Sequence, residues 1–217
     1  MPTSRTADSN NRRATWVLVL TSMASLMVAL DVLVVSTALS TIRVQLHASL
    51  GDLEWTVNAY VLSLAVLLMT GAALGDRLGR KRLFIAGMGL FAAGSAAAAL
   101  AQSIAWLIAA RAVQGAGAAV MMPLALALLS AAFPPEQRAK ALGVFGAITG
   151  LGIVLGPLVG GAAVQGISWP WIFWINVPIG LVTIALSQRH ISESVGPDTA
   201  RQRSRSPHES GADRKWV

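Results

Sequence analysis

The sequence predicts an all-α integral membrane protein with six transmembrane helices. Hydrophobic residues make up 54% of the 217 residues and charged residues only 12%, whereas a soluble domain has about 25% charged residues. The apolar residues form six long stretches, and a helix needs roughly 20 such residues to cross the bilayer. In lipid these segments must satisfy their backbone hydrogen bonds internally, so helices are expected rather than strands.

The six predicted spans follow one another with short connections between them. They cover residues 16–42, 55–75, 83–101, 104–133, 141–167 and 171–188. The predicted domains are an N-terminal cytoplasmic segment at 1–14, a transmembrane bundle at 15–188 and a tail at 189–217. The tail is rich in Ser, Arg, Asp and Glu without apolar periodicity, which is typical of a disordered basic segment.

The positions of the 17 Lys and Arg residues predict the orientation of the bundle. Apart from Arg43 and Arg111, they lie before span one, between spans two and three, between spans four and five, or after span six. The positive-inside rule therefore predicts a multi-pass protein of the plasma (inner) membrane with both termini in the cytoplasm. Because this topology accounts for the net charge of +7, no nucleic-acid partner is expected.

Several kinds of chemistry have no basis in the sequence. It contains no cysteine, so thiolate metal sites and cysteine nucleophiles are excluded. The three histidines, His47, His190 and His208, lie in loops or in the tail. We therefore expect no metal site, no cofactor and no catalytic residues, and we expect that the protein is not an enzyme.

Asp31 lies near the middle of span one. An ionised carboxylate there costs at least about 2.5 to 3.5 kcal/mol to insert, so it is expected to face a cavity or a partner. One interpretation is a carboxylate that exchanges a proton or binds a cation during transport. The alternative is a structural acid that is satisfied by hydroxyls such as those of Ser36 or Thr37.

Arg111 lies within span four, with Gln114 one turn further along. A guanidinium remains charged at any relevant pH, so in lipid it must bond carbonyls, water or a carboxylate. The functional interpretation makes Arg111 part of a transport site, with Gln114 as a hydrogen-bonding neighbour. The alternative is that Arg111 snorkels toward the membrane surface.

A loop motif consisting of Asp76, Arg77, Gly79, Arg80 and Lys81 connects spans two and three. Glycine permits a tight turn, and the cations anchor the loop at the cytoplasmic face. Anchoring does not explain the carboxylate of Asp76. This carboxylate could pair with Arg80 or meet the positive end of another helix.

Span five contains a glycine–proline motif consisting of Gly152, Gly156, Pro157, Gly160 and Gly161. Glycines one turn apart form a flat stripe for close helix packing, and proline removes a backbone hydrogen bond and bends the helix. The motif predicts either a dimerisation face or a bend at a moving interface.

Taken in order, these four segments resemble the major facilitator superfamily, specifically its fourteen-span drug:proton antiporter branch. The Asp31 segment resembles the first-helix motif of that branch, and the loop motif and the glycine–proline motif match their family counterparts. Residues 169–180 are similar to the family's entry into its sixth helix, although Pro170 replaces a usual Arg. The fourth-helix motif is matched by Arg111, Gln114, Gly115 and Gly117.

The resemblance implies a six-helix N-terminal bundle built from two three-helix inverted repeats. It further implies a multidrug efflux transporter that exports a small amphipathic or cationic drug-like substrate in exchange for protons. Asp31, Arg111 and Gln114 would couple export of the drug to entry of protons, and the proton gradient would be the energy source. The family normally has a second half, so the resemblance implies a truncated chain. A second copy of the chain or a separate C-terminal half would then be its partner. The alternative is a non-transporting fragment or membrane interaction protein.

Overall fold

The computed structural model describes residues 3–166 and 168–194, with side chains for residues 11–166 and 168–194, and its regular structure is entirely helical there. Six of its helical segments are long and apolar enough to cross a membrane, which confirms the predicted fold class. The helices are α1 (Thr3–Gln45), α2 (Leu50–Leu78), α3 (Arg80–Ala99), α4 (Ile104–Ala132), α5 (Pro135–Gly166), α6 (Trp171–Trp174) and α7 (Asn176–His190).

Local side-chain bonds determine where two of the long helices begin. At the start of α2, Ser49 and Asp52 form a capping box, in which each side chain accepts from the other's backbone N–H. At the start of α4, the hydroxyl of Ser103 accepts from the backbone N–H of Trp106. These caps satisfy helix-end donors that would otherwise lack partners.

The sixth span is divided into two helices, which the sequence analysis treated as one span. The short α6 ends at Trp174, and α7 begins at Asn176. Pro178 lacks the N–H that would bond the carbonyl of Trp174, and its ring crowds that carbonyl. The interruption places Asn176 at the first turn of α7.

Both ends of the bundle extend beyond the predicted boundaries. At the N-terminal end, residues 3–14 are part of α1. At the other end, α7 runs two residues past Gln188. The Lys81 ammonium donates to the carbonyl of Gln188 at 2.8 Å. Ile191 is buried against the bundle. Residues 195–217, most of the predicted disordered tail, lie outside the described residues.

Helix packing follows the pattern expected of two inverted three-helix repeats. The most extensive contacts join α2 to α4, α3 to α4, and α1 to α5. If α4, α5 and the α6–α7 pair repeat α1, α2 and α3, then the α1–α5 contact is equivalent to the α4–α2 contact. The extensive α3–α4 contact likewise corresponds to the contact between α1 and α7. The helix pairs that such a repeat would relate are therefore in contact, although the α3–α4 contact is more extensive than the α1–α7 contact.

Two apolar clusters form the core, one above the other. The cluster at the end with the termini includes Met27, Phe91 and Met121, and the cluster at the opposite end includes Val34 and Leu107. Along α1, α3 and α4, the residues between these clusters include polar groups. This layer lies nearer the end of the bundle opposite the termini, since Ser95 is four residues from the end of α3 and Arg111 is seven residues from the start of α4.

Candidate functional site

A buried ion pair joins α1 to α4 within the layer between the two apolar clusters. Nη1 of Arg111 donates to Oδ2 of Asp31 at 2.5 Å. Asp31 is 2% exposed and Arg111 is 1% exposed. Arg111 therefore does not snorkel. The sequence predicted that each residue needs a partner, and the structure brings the two together.

Gln114 connects both members of the ion pair. Its Oε1 accepts from Nη1 of Arg111 at 2.8 Å, and its Nε2 donates to Oδ1 of Asp31 at 3.1 Å. The same Nε2 donates to the hydroxyl of Ser95 at 2.6 Å. The predicted one-turn contact between Gln114 and Arg111 is therefore present, and α3 joins the network through Ser95.

Asn176 completes the network from α7. Its Nδ2 donates to Oδ1 of Asp31 and to the hydroxyl of Ser95, each at 3.1 Å. Asn176 is positioned by the interruption of the sixth span, because the residue begins α7. Four elements, α1, α3, α4 and α7, thus meet at one carboxylate.

The hydrogen bonds match an ionised Asp31. Its two oxygens accept from three donors, on Arg111, Gln114 and Asn176. A protonated carboxyl group would itself be a donor and would need an acceptor. Protonation would turn one of these oxygens into a donor and would remove the negative charge that Arg111 faces.

The two hydroxyls that the sequence analysis suggested as partners of Asp31 bond other groups. The hydroxyl of Ser36 donates to the carbonyl of Val32, and that of Thr37 donates to the carbonyl of Val34. Both hydroxyls thus bond their own helix. Asp31 is held by a guanidinium and two amides instead.

Sequence reasoning missed Ser95, Asn176 and Tyr60 as members of this site. The guanidinium carbon of Arg111 lies 4.3 Å from the centroid of the Tyr60 ring, and Tyr60 is 1% exposed. Asn176 carried a detectable signal, because an amide in an otherwise apolar span is costly unless it is bonded. Ser95 and Tyr60 carried none, since single hydroxyls and aromatic rings are common in such helices.

The loop motif lies at the end of the bundle that carries the termini. Asp76 accepts from Nε of Arg80 at 2.8 Å and forms an ion pair with Nη2 at 2.7 Å. Pairing with Arg80, one of the two predicted roles for this carboxylate, is present. Gly79 separates α2 from α3 with φ +111°, a conformation that favours glycine. Arg77 is exposed, and Lys81 is partly buried.

Residues 192–194 contact the loop motif directly. The backbone N–H of Arg80 donates to the carbonyl of Ser194 at 2.9 Å, and the N–H of Lys81 donates to Oε1 of Glu193 at 3.0 Å. A Cβ on Gly79 would lie 2.8 Å from the Glu193 carboxylate. The segment after α7 therefore caps the start of α3.

The glycine–proline motif contributes a close contact with α1. A Cβ on Gly152 would lie 3.0 Å from Cβ of Ala29, and one on Gly156 would lie 2.6 Å from Cβ of Leu33. Gly160 faces α1 in the same way, whereas Gly161 has no neighbouring atom within 4 Å of such a Cβ. Pro157 is exposed within α5, which continues to Gly166. The stripe thus packs against α1 of the same chain.

Across residues 3–166 and 168–194, no group of three or more His, Asp or Glu residues is arranged to hold a metal ion. The site that the fold builds is a buried carboxylate that accepts hydrogen bonds from a guanidinium and two amides.

Family comparison agrees with these features. The model of the Major Facilitator Superfamily matches residues 21–216. The chain belongs to this superfamily. Membership places it among transporters rather than enzymes, as the sequence analysis predicted.

Curated relatives in the superfamily include proteins named for resistance and export. The chain is 40% identical to the tetracenomycin C resistance and export protein of Streptomyces glaucescens over 83% of its own length and 34% of the relative. It is 46% identical to the methylenomycin A resistance protein of Streptomyces coelicolor over 76% of its length and 35% of the relative. The multidrug resistance protein Stp of Mycobacterium tuberculosis is 40% identical over 85% of the chain and 34% of Stp. The chain thus spans about a third of the length of these relatives.

Solved structures share the fold of this superfamily member. A bacterial homolog of the human lysosomal transporter Spinster, inward-facing and unoccupied, superposes with a TM-score of 0.68 at 20% identity. The match covers 85% of this chain and 45% of that one. The peptide transporter POT, as an E310Q mutant with sulfate, has a TM-score of 0.71 at 16% identity over 88% of this chain and 42% of its own.

Proposed function

We propose that this bundle is the proton-coupling part of a drug efflux antiporter of the fourteen-span branch. The observation that carries the proposal is the buried Asp31, which is held by a fixed cation and two amides inside the bundle. Buried ionisable residues in membrane helices are functional by default, often as proton relays. The exported substrate would be a small amphipathic or cationic drug-like molecule.

The geometry supports a specific coupling step. Protonation of Asp31 removes its charge and so weakens its attraction to Arg111. It also makes a donor of the carboxyl group, which Gln114 on α4 and Asn176 on α7 contact as donors. Arg111 remains charged throughout and marks the position to which the carboxylate returns on deprotonation. Loading and release of a proton would thus favour different packings of the same helices.

Alternating access in transporters of this type uses two bundles that rock against each other. The described helices with the least buried surface are α2 and α5. They expose apolar side chains that include Leu62, Val66, Val154 and Leu158. We place the second bundle against these two helices, whether it comes from a second copy of the chain or from a separate C-terminal half. The protein would lie in the plasma (inner) membrane with both termini in the cytoplasm.

The test is efflux of a fluorescent cationic dye from proteoliposomes that contain the purified chain, with and without an imposed pH gradient. We expect gradient-dependent efflux that Asp31→Asn abolishes, because an amide side chain cannot take up and release a proton at working pH. Glu54→Gln is the matched control, since Glu54 is exposed near the start of α2. Undiminished efflux in the Asp31→Asn variant would remove Asp31 from the mechanism.

A second set of liposomes distinguishes the partners. Efflux from the chain alone, with cross-linked dimers, would identify a second copy as the missing bundle. Efflux only after a C-terminal six-helix half is added would identify a separate partner. No efflux in either case, with insertion confirmed, would favour the non-transporting membrane interaction protein.

A further inference from the structure

The buried guanidinium of Arg111 has a contact that is independent of the charge on Asp31. It lies over the ring of Tyr60, with 4.3 Å between the guanidinium carbon and the ring centroid. The Phe173 ring is further away, at 5.8 Å. A cation within about 6 Å of an aromatic face is attracted to it, and the attraction is stronger where water is excluded. Since Tyr60 and Arg111 are both buried, this contact is desolvated.

The close approach of α2 to α4 holds the backbone of Tyr60 against α4. A Cβ on Gly115 would collide with the carbonyl oxygen of Tyr60 and would come within 3.0 Å of Cβ of Ser63. Only glycine allows the two backbones to lie this close. Gly115 is one turn of α4 from Arg111, so this approach brings the Tyr60 ring within reach of the guanidinium.

The hydroxyl of Tyr60 takes no part in the contact with Arg111. It is buried and makes no hydrogen bond with any of the described residues. The face of the ring, rather than its hydroxyl, is what Tyr60 offers to Arg111. Phenylalanine would keep that face and break no described hydrogen bond.

The contacts of Arg111 differ in how they respond to a proton on Asp31. The carboxylate bond at Nη1 loses its charge. The bond from Nη1 to Oε1 of Gln114 and the long 3.4 Å bond from Nε to the carbonyl of Thr56 do not involve the carboxylate and remain. A buried cation without a counter-charge is costly, so the Tyr60 ring face and these two uncharged oxygens are what then stabilise the guanidinium.

We propose that Tyr60 is a positioning residue whose ring holds Arg111 in place while Asp31 is neutral. The proposal rests on the proposed function, because it assigns a role within the proton-coupling cycle. The described groups around this ion pair are Tyr60 and the Thr56 carbonyl on α2, Ser95 on α3, Gln114 on α4, Phe173 on α6 and Asn176 on α7, of which Tyr60 alone is ionisable.

The experiment compares Tyr60→Leu with Tyr60→Phe in the full chain and measures thermal unfolding in detergent micelles by circular dichroism. Both Tyr60 variants are made in three backgrounds. The first is the native sequence. The second is Asp31→Asn, which imitates the neutral carboxyl. The third combines Asp31→Asn with Arg111→Gln and removes both charges, so its Leu–Phe gap measures shape and packing alone.

Relative to the third background, we expect the gap in unfolding temperature to be larger by about 2 °C in the native sequence and by about 5 °C in Asp31→Asn. Equal gaps in all three backgrounds would overturn the proposal, because Tyr60 would then act by packing alone. A gap in Asp31→Asn no larger than the native gap would overturn it as well. The proposal would also be overturned if neither the Leu nor the Phe variant folded in the Asp31→Asn background, since the ring would then not hold an unpaired Arg111.

This measurement does not depend on transport. Absence of dye efflux from the native chain, both alone and after a C-terminal six-helix half is added, would remove the proposed function but would leave the Leu–Phe comparison interpretable. Conversely, a native chain that exports dye with equal gaps in all backgrounds would keep the antiport proposal and remove only the role of Tyr60.

Discussion

Replacing Gly156 with alanine tests the contact between α1 and α5 that the glycine–proline motif creates. The new Cβ would lie 2.6 Å from Cβ of Leu33, well inside the distance at which two such carbons can pack. Cβ of Leu33 is fixed by the helix backbone, so no side-chain rotation can relieve the overlap. The two helices must move apart.

The cost follows from what this separation disturbs. Over-packing a tight contact costs about 1 to 3 kcal/mol, and this contact includes the neighbouring approach of Gly152 to Ala29. In a chain of this size 1 kcal/mol corresponds to about 2 to 4 °C in unfolding temperature. We therefore expect Gly156→Ala to unfold about 3 to 10 °C below the native chain.

Gly161→Ala is the matched control from the same motif and the same helix. No atom lies within 4 Å of its new Cβ, and alanine favours helix over glycine by up to about 1 kcal/mol. Thermal unfolding in one detergent should therefore leave Gly161→Ala at or slightly above the native temperature. If the two variants unfold at the same temperature, the assignment of the Gly156 face to the α1 contact is wrong.

Two further substitutions test other contacts of the bundle. Ser95→Ala removes the shared acceptor of Gln114 and Asn176, so we expect the free energy of unfolding, measured by thermal unfolding, to fall by about 1 kcal/mol or more. An unchanged unfolding temperature would mean that these amides do not depend on Ser95. Glu193→Ala removes the acceptor for the backbone N–H of Lys81. Trypsin should then cleave the loop motif about two- to five-fold faster, since an exposed contact of this kind contributes up to about 1 kcal/mol. An unchanged cleavage rate would show that Glu193 does not hold the loop.

The fold was largely predictable because the membrane restricts the choices. Length, apolar composition and the positions of the cations predicted six helices, and the structure has six segments that meet the membrane criterion. The interruption at Ile175 was missed, although Pro178 was visible. A proline in a membrane helix is often tolerated without a break, since neighbouring groups can bond the freed carbonyl. Its effect depends on those neighbours.

The candidate site was predictable in part. Asp31 and Arg111 were identifiable because a charge in the bilayer is costly and must have a partner. Gln114 followed from helical spacing. Asn176 and Ser95 lie on helices distant in sequence from Asp31, so no spacing rule connects them to it. Their role required the positions of α3 and α7 relative to α1.

By itself, the sequence determined the solvent in which this chain folds, its helices and the residues that cannot remain unpaired there, because these follow from transfer free energies of individual groups. Only the tertiary structure decided which partners they have. It placed Asp31 against Arg111 and the Tyr60 ring over the guanidinium, and it turned the Gly156 face toward α1. Such contacts depend on how helices far apart in the chain pack together, and close packing is a property of all of them at once.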